Sequence, residues 1–496
     1  MTIEAALEEN RILKAEVEKL HAVIRGMRGG KFGIKSERIE EIPDQLIFNE
    51  IEKEATTLLP SEKETITYTR KKGRSLKKPW PENVAREERV IDLPESEKIC
   101  PHDGSSLLCI GEVRNEKLKT IPAQVTVITE IKKKYSCPTC DSYMAQPKVN
   151  SILPGTIATP ELLSFIIFSK YFQGLPLYRI EELFDLYGIE LSRGTMARWL
   201  IKTTELLMPI YNLLQDYMFE SGYVAIDATH VQVLKEAGRR AQAKSFMWAR
   251  GSPERGIVLF DYDVSGGGAV AKKLVIDFKG ALQADAHKGY EQLDQRNILK
   301  LGCMMHARRR FYKAWIVGKK KPGIASQALG GIKFIYDKEE SYRTLTPEKR
   351  KEQRDLEIAP SMLALKEWCE QNILKVLKSS ELGNALHYFN NEYEELTKFL
   401  EDGRYEIDNG WIERTIRKFA IGRNNWLFCD TVEGANASSL IYSLVITAKL
   451  NGKDPFKVMT EIFEKIPCAK TAEDYEKLTQ LLLSPQNPLS CHKKEG

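Results

Sequence analysis

Between residues 223 and 305 the apolar side chains stop recurring every three to four positions and recur every two, and this change of period decides the class of fold. Tyr223-Val-Ala-Ile-Asp227 with Val231-Gln-Val-Leu234 suits one strand, Phe246-Met-Trp-Ala249 a second and Ile257-Val-Leu-Phe-Asp-Tyr262 a third. A helix is expected over 269–278, then strands at Ala281-Leu-Gln-Ala-Asp285 and Leu301-Gly-Cys-Met-Met305. Strands, helix and strands in this order make an α/β core. From residue 307 to about 400 the pattern is helical and highly charged, so it reads as an insertion. The core then spans 216–315 and 406–460, the insertion 316–405, and a helical tail 461–496.

Composition excludes several classes. Of the 496 residues, 42% are hydrophobic and 29% charged, which supports folded cores rather than disorder. The length alone suggests about three domains. A net charge of +5 is too small to name a polyanionic partner without a local concentration of charge. The acidic N-terminus lacks the basic and apolar regions of a secretory signal. The most apolar stretch, 162–168, is broken by Ser164 and stopped by Lys170, so no membrane span is expected. Nine cysteines are too few for a disulfide scaffold, and the expected location is the cytoplasm.

Smaller modules precede the core. In segment 1–35, Ile3, Asn10, Val17 and Ile24 occupy heptad a positions, while Ala6, Leu13, Leu20 and Met27 occupy d. This is a short coiled coil in which Asn10 favours a parallel dimer, or else one amphipathic helix on its own domain. Segment 36–95 is a charged linker in which Arg70, Lys71, Lys72, Arg74, Lys77 and Lys78 suit a phosphate backbone or a minor groove; a solvated linker has the same composition. In segment 96–150, β-type alternation in Gln124-Val-Thr-Val-Ile-Thr-Glu-Ile131 is bracketed by Cys100-Pro-His-Asp103 and Cys137-Pro-Thr-Cys140. The second bracket is a Cys-x-x-Cys knuckle; in the first, His102 or Asp103 would join Cys100 as a zinc ligand, with Cys109 as a further candidate. Free thiols are the alternative. Segment 151–215 has the helix, glycine turn, helix order of a helix-turn-helix, its short second helix starting at Ser192 and offering Arg193 and Arg198 to DNA; a plain helical subdomain shares the pattern.

The chemistry rests on acids. Asp227 and Asp285 close apolar strands, where a carboxylate is costly unless paired, hydrogen-bonded or metal-bound. In Asp408-Asn-Gly-Trp-Ile-Glu413-Arg414 a helix starting after Asn409 carries Glu413 one turn in. Three such oxygen donors suit two Mg²⁺ or Mn²⁺ ions and phosphodiester chemistry. Arg308, Arg309, Arg310, Arg414, Arg417, Lys418 and Arg423 form a basic rim suited to phosphates. Cys303 and His306 have metal-ligand spacing, but with two ligands only, structure or DNA contact is the better expectation. His230 and His287 lie near the two aspartates, where proton transfer competes with an ordinary core or surface role.

Asp227-Ala-Thr-His-Val-Gln-Val-Leu234, Leu282-Gln-Ala-Asp285, Cys303-Met-Met-His306-Ala-Arg-Arg309, Asp408-Asn-Gly-Trp-Ile-Glu413-Arg414, Gly422-Arg-Asn-Asn-Trp-Leu-Phe428 and Thr447-Ala-Lys-Leu-Asn-Gly452 together resemble motifs of the transposases of the insertion sequence 66 family. So do Phe32-Gly-Ile-Lys-Ser-Glu37 and the cysteine unit with Ile121-Pro-Ala-Gln124. The resemblance implies an RNase H-like catalytic domain, a mixed sheet with flanking helices interrupted by a helical insertion. It assigns a DDE triad to Asp227, Asp285 and Glu413, holding two Mg²⁺ or Mn²⁺ ions. It implies cleavage at transposon ends and joining of the 3′-hydroxyl to target DNA, by an assembly at least dimeric, with accessory proteins from the same element. Gly410-Trp411-Ile412 is bulkier than the small, polar run usual before the glutamate. A non-catalytic DNA-binding protein and a general metal nuclease are the competing expectations.

Overall fold

The computed structural model describes residues 125–131, 135–136, 144–145, 151–285 and 297–484. The heptads of 3–27, the basic run Arg70, Lys71, Lys72 and Arg74, the zinc candidates Cys100, His102, Asp103, Cys137 and Cys140, and His287 lie outside the described residues. Residues 125–131, within the alternation at 124–131, do not form a strand, and Val127 is 87% exposed. Alternation alone does not hold a strand that has no neighbour and no core beneath it. Two short antiparallel strands follow, β1 (Tyr135–Ser136) and β2 (Met144–Ala145).

Helix α1 (Pro160–Ile167) starts where the Thr159 hydroxyl accepts from the Leu162 amide at 3.2 Å, with proline at the first helical position. It runs on through a π turn at Phe168–Phe172. Helix α2 (Leu177–Asp185) ends before Gly188, whose φ of +71° suits the turn. The Ser192 hydroxyl then caps α3 (Arg193–Glu220). This second helix is not short. It has 28 residues because Met196, Trp199, Leu200, Leu207, Ile210, Leu214 and Met218 keep a helical apolar period through Pro209 and bury against the sheet core.

The sheet comprises β3 (Tyr223–Lys235), β4 (Lys244–Ser252), β5 (Ile257–Asp263), β6 (Gly280–Gln283) and β7 (Ile298–Leu301), with α4 (Gly268–Leu274) between β5 and β6. Its order is β5-β4-β3-β6-β7. The first three strands form an antiparallel meander, and β6 and β7 run parallel to β3. The strand expected over 223–227 and 231–234 runs unbroken through both stretches, and the strand expected at 301–305 lies earlier. Gly302 ends it: a Cβ there would stand 2.9 Å from the Leu396 amide nitrogen, and Met304 already begins a helix.

That helix, α5 (Met304–Val317), opens a second core with α6 (Ile324–Tyr342), α7 (Pro347–Gln353), α8 (Ala359–Ile373), α9 (Glu381–Asn391) and α10 (Tyr393–Thr397). Met304, Phe311, Ile332, Ile335, Met362, Phe389, Phe399 and Ile407 are buried in one cluster. Within it Arg354, 0% exposed, meets Glu339 at 2.7 Å and donates to the carbonyls of Phe399, Asp402 and Tyr405 at 2.8–3.0 Å. Arg350 reaches the same glutamate at 2.8 Å.

The chain returns to the sheet with α11 (Gly410–Trp426), β8 (Cys429–Thr431), which pairs in parallel with the far end of β3, and α12 (Val432–Leu450). Helix α12 closes the β5 edge. Ser443 Oγ accepts from the Phe260 amide at 2.8 Å, Thr447 Oγ1 bonds both the amide and carbonyl of Val258, and Asn451 Nδ2 donates to the Gly256 carbonyl at 3.0 Å. Hydroxyls thus stand in for a missing strand. Helices α13 (Pro455–Lys465) and α14 (Ala472–Gln480) complete the first core. The arrangement is a mixed sheet with flanking helices, consistent with an RNase H-like core. No helix among the described residues is long and apolar enough to cross a membrane.

Glu339→Ala leaves the fully buried Arg354 without its carboxylate and Arg350 with Glu406 alone, and should lower unfolding stability by about 3–5 kcal/mol in a denaturant titration. Glu340→Ala, which removes an exposed pair with Arg343, should change it by less than about 0.5 kcal/mol.

Candidate active site

Asp227 sits mid-way along β3, where the strand passes from buried to half-buried residues. Its Oδ1 accepts from the Ala228 amide at 2.8 Å. Parallel β6 pairs with β3 at Ala225 and Gln283, and the same register carried two residues onward aligns Asp227 with Asp285. Asp285 lies just beyond the end of β6 rather than within it. Glu413 comes from the first turn of α11, and its amide donates to the Asn409 carbonyl at 3.1 Å.

Asn409 holds that helix in place. Its Nδ2 donates to the Ile226 carbonyl, next to Asp227, at 2.9 Å, and its amide donates to Cys303 Sγ at 3.3 Å. Asp408 extends the anchorage: Oδ1 accepts from the Gly410 amide at 2.8 Å and Oδ2 from the Tyr336 hydroxyl at 2.5 Å. Trp411, the bulky residue before the glutamate, lies over Gly251 of β4, where a Cβ would meet its ring at 2.8 Å. Tyr336 and Gly251 gave no signal in the sequence, and Asp408 stood there only as the first residue of the motif that carries Glu413. Asn409 is legible there only as the end of a helix.

The carboxyls of Asp227 and Glu413 are both raised, and the charge of Asp285 contributes to each. Burial pushes the Asp227 carboxyl up to about 7, against partial stabilisation by the Ala228 amide, and the charges of Glu413 and Asp285 push the same way. Burial also raises Glu413, opposed first by Arg309 and reinforced by Asp408; Arg417 lowers it and Asp285 raises it. Arg309 Nη2 stands 3.5 Å from Glu413 Oε2.

The basic residues divide by position. Arg309 and Arg417 act on Glu413; Arg308 is half-buried beside them on α5, and Arg414 is exposed on α11. Arg423 is engaged with β3, donating to Thr229 Oγ1 at 3.2 Å and to the His230 carbonyl. Arg193 and Arg198 are exposed at the start of α3, where Arg193 bonds Glu181 through its amide and Arg198 bonds Thr195. His230 is exposed, its ring 4.6 Å from that of Phe246.

The expectation that Cys303 and His306 have no third ligand is incomplete. Among the described residues one set of metal-type side chains has all its donor atoms within 4.8 Å of one another: Cys303, His306 and Glu413. The third member stands 107 residues further along the chain, beyond the reach of a local spacing rule.

The sequence model described as "Transposase IS66 family" matches residues 155–437, more than half of the chain. The chain belongs to the IS66 transposase family. A second model, "zinc-finger binding domain of transposase IS66", matches 97–141, the segment that holds the knuckle cysteines. Among relatives, uncharacterized protein y4hP of Sinorhizobium fredii is 26% identical over 94% of this chain and 88% of its own length. Uncharacterized protein y4jD of the same organism is 29% identical over 79% of this chain and 78% of its own. No solved structure matches. Membership of this family suggests DDE-type transposase chemistry.

Because the folded carboxyl of Asp227 sits near 7 against an ordinary 3.8, the native state binds the proton more tightly than the unfolded chain. Metal-free protein should therefore lose stability as pH rises from about 4 to 7, at up to about 1.4 kcal/mol for each pH unit and a few kcal/mol in all. Thermal melts in chelator from pH 5 to 8 should show the decline, and Asp227→Asn should flatten it and melt higher than wild type at pH 8.

Proposed function

We propose that this IS66-family protein is a DNA transposase that cuts at transposon ends and joins the freed 3′-hydroxyl to target DNA, with Asp227, Asp285 and Glu413 as its metal-holding carboxylates. The observation that supports the reading is that the β3–β6 register aligns Asp227 with Asp285 and that Asn409 ties the start of the Glu413 helix to β3 beside Asp227, whose carboxyl is raised by burial and by the charges of Glu413 and Asp285. Three partly desolvated carboxylates in one place are unfavourable unless cations join them. Asp227 and Asp285 offer hard oxygen donors of the kind Mg²⁺ or Mn²⁺ takes, and Glu413 completes the set. Two such ions, when bound, supply charge to the attacking and leaving oxygens of an in-line displacement.

The chain's own groups do the rest. The scaffold of Asn409 and Trp411 anchors the start of the Glu413 helix to β3 and β4. Arg309, Arg414 and Arg417 border the acids and hold phosphates of the transposon end and of the target. In the first displacement a water oxygen bonds phosphorus and the transposon 3′-oxygen leaves, taking a proton to become the hydroxyl. In the second, that hydroxyl loses its proton, bonds a target phosphorus and displaces a target 3′-oxygen. Segment 96–150, with Zn²⁺ on Cys100, Cys137, Cys140 and His102 or Asp103, the basic run at 70–74 and the face bearing Arg193 and Arg198 recognise end DNA. The heptads of 1–35 pair two copies, and proteins of the same element assist.

Cleavage of labelled end DNA in Mg²⁺ or Mn²⁺ tests the triad. Asp227→Asn, Asp285→Asn and Glu413→Gln should each lower the rate at least about a thousandfold, equivalent to about 4 kcal/mol. End binding should stay within about threefold in a mobility-shift assay, since none of the three contacts phosphate directly. Full cleavage by all three variants would overturn the assignment, and a wild type that binds ends without cutting would mark a non-catalytic DNA-binding protein.

A further inference from the structure

Cys303, His306 and Glu413 differ chemically from the carboxylate set. Mg²⁺ takes oxygen ligands, whereas a thiol, an imidazole and a carboxylate together match a borderline transition ion such as Zn²⁺. We propose that these three residues form a second cation site of the zinc class, which draws Glu413 away from the oxygen-only site formed with Asp227 and Asp285.

Four observations carry it. All three donor atoms lie within 4.8 Å of one another. Donors around a tetrahedral zinc ion stand about 3.5 Å apart, so a contraction of roughly 1 Å closes the shell and leaves a fourth position for water. His306 Nδ1 is buried without a hydrogen-bond partner, 4.0 Å from Glu413 Oε1, and an ion between them would satisfy it. The Asn409 amide already donates to Cys303 Sγ at 3.3 Å and orients the sulfur. Access is open on one side, because the His306 and Glu413 side chains are 25% and 21% exposed while the sulfur is covered.

Arg309 opposes the ion. Its guanidinium holds Glu413 at 3.5 Å and approaches His306 Nε2 at the same distance. Its side chain is 56% exposed, however, and can turn to solvent or to a DNA phosphate. Coordination through Nδ1 puts the ring proton on Nε2, where it favours that departure. The consequence for cleavage rests on the triad reading, since an ion held here withholds Glu413 from catalysis. Binding itself does not depend on it.

Cobalt(II) substitution reads the site without any cleavage assay. The full-length protein carrying Cys137→Ser and Cys140→Ser, which removes the knuckle, is titrated with Co²⁺. A thiolate-to-cobalt charge-transfer band and tetrahedral visible bands are expected for one ion per chain. Both should vanish on Cys303→Ser, weaken at least tenfold in affinity on His306→Gln, and persist in Asp227→Asn. His306 is partly exposed, so His306→Gln decides the matter if Cys303→Ser fails to fold. Absence of the thiolate band in the knuckle-free protein, or a band unchanged in both variants, would overturn the site. A protein inactive in cleavage that still gives the band supports the site and sinks only the catalytic reading.

Discussion

The buried amide of Asn409 is the contact on which the geometry of the site depends. It is 1% exposed, and it joins the start of the Glu413 helix to the backbone of β3 one residue before Asp227. Its Nδ2 is bonded to the Ile226 carbonyl while its Oδ1 is buried without a hydrogen-bond partner, so the one bond it makes is directional in a way that an apolar contact of the same area is not. Sliding α11 along the sheet by one residue would break that bond and lift Trp411 from the space that Gly251 leaves open. The two constraints act in different directions: the amide sets the position of the helix along β3, and the indole sets its height above β4. Glu413 is therefore placed by its neighbours in sequence rather than by its own contacts.

The insertion contributes to the same placement. Arg354 binds the carbonyls of 399, 402 and 405, the stretch through which the chain leaves the insertion and returns to the sheet. Three residues later Asp408 accepts from Tyr336 of α6, the helix that also carries Glu339. Desolvating two guanidinium groups and one carboxylate is expensive, and an apolar cluster of equal volume would hold the fold as well or better. What the ionic set adds is direction, because guanidinium donors fix backbone carbonyls at defined angles. The insertion is thus part of the frame of the site, with the family's helical segment acting on Glu413 through Asp408.

How much of this was legible in the sequence follows from what each feature depends on. The strands around Asp227 could be read because a period of two over buried Val224, Ala225 and Ile226 is a local property. The helix start at Asn409 was equally local. The length of α3 was underestimated because Pro209 and the polar residues around it interrupt the pattern while the buried stripe continues. The alternation at 124–131 misled for the opposite reason, since periodicity without a partner strand carries no stability. Cys303 and His306 read as an incomplete pair because their third neighbour is supplied by the fold. Gly251 and Trp411 are each ordinary alone, and only the fold, which sets the indole over the glycine of β4, shows how the tryptophan is accommodated.

Charge balance at the site now takes a specific form. Asp227 is raised mainly by loss of water, and Glu413 is raised by the same cause while Arg309 restrains it. A carboxylate held by an arginine at 3.5 Å is available to a metal ion only if the guanidinium has somewhere else to go. On the function proposed above, a phosphate of the bound nucleic acid would provide that place and would arrive with the substrate. Arg309 would then exchange a carboxylate for a phosphate at nearly constant local charge, while the carboxylate exchanges a guanidinium for a cation. Both swaps replace one opposite-charge pair by another, so neither leaves a bare charge in a partly desolvated site, and binding of the nucleic acid and assembly of the acidic site become thermodynamically linked.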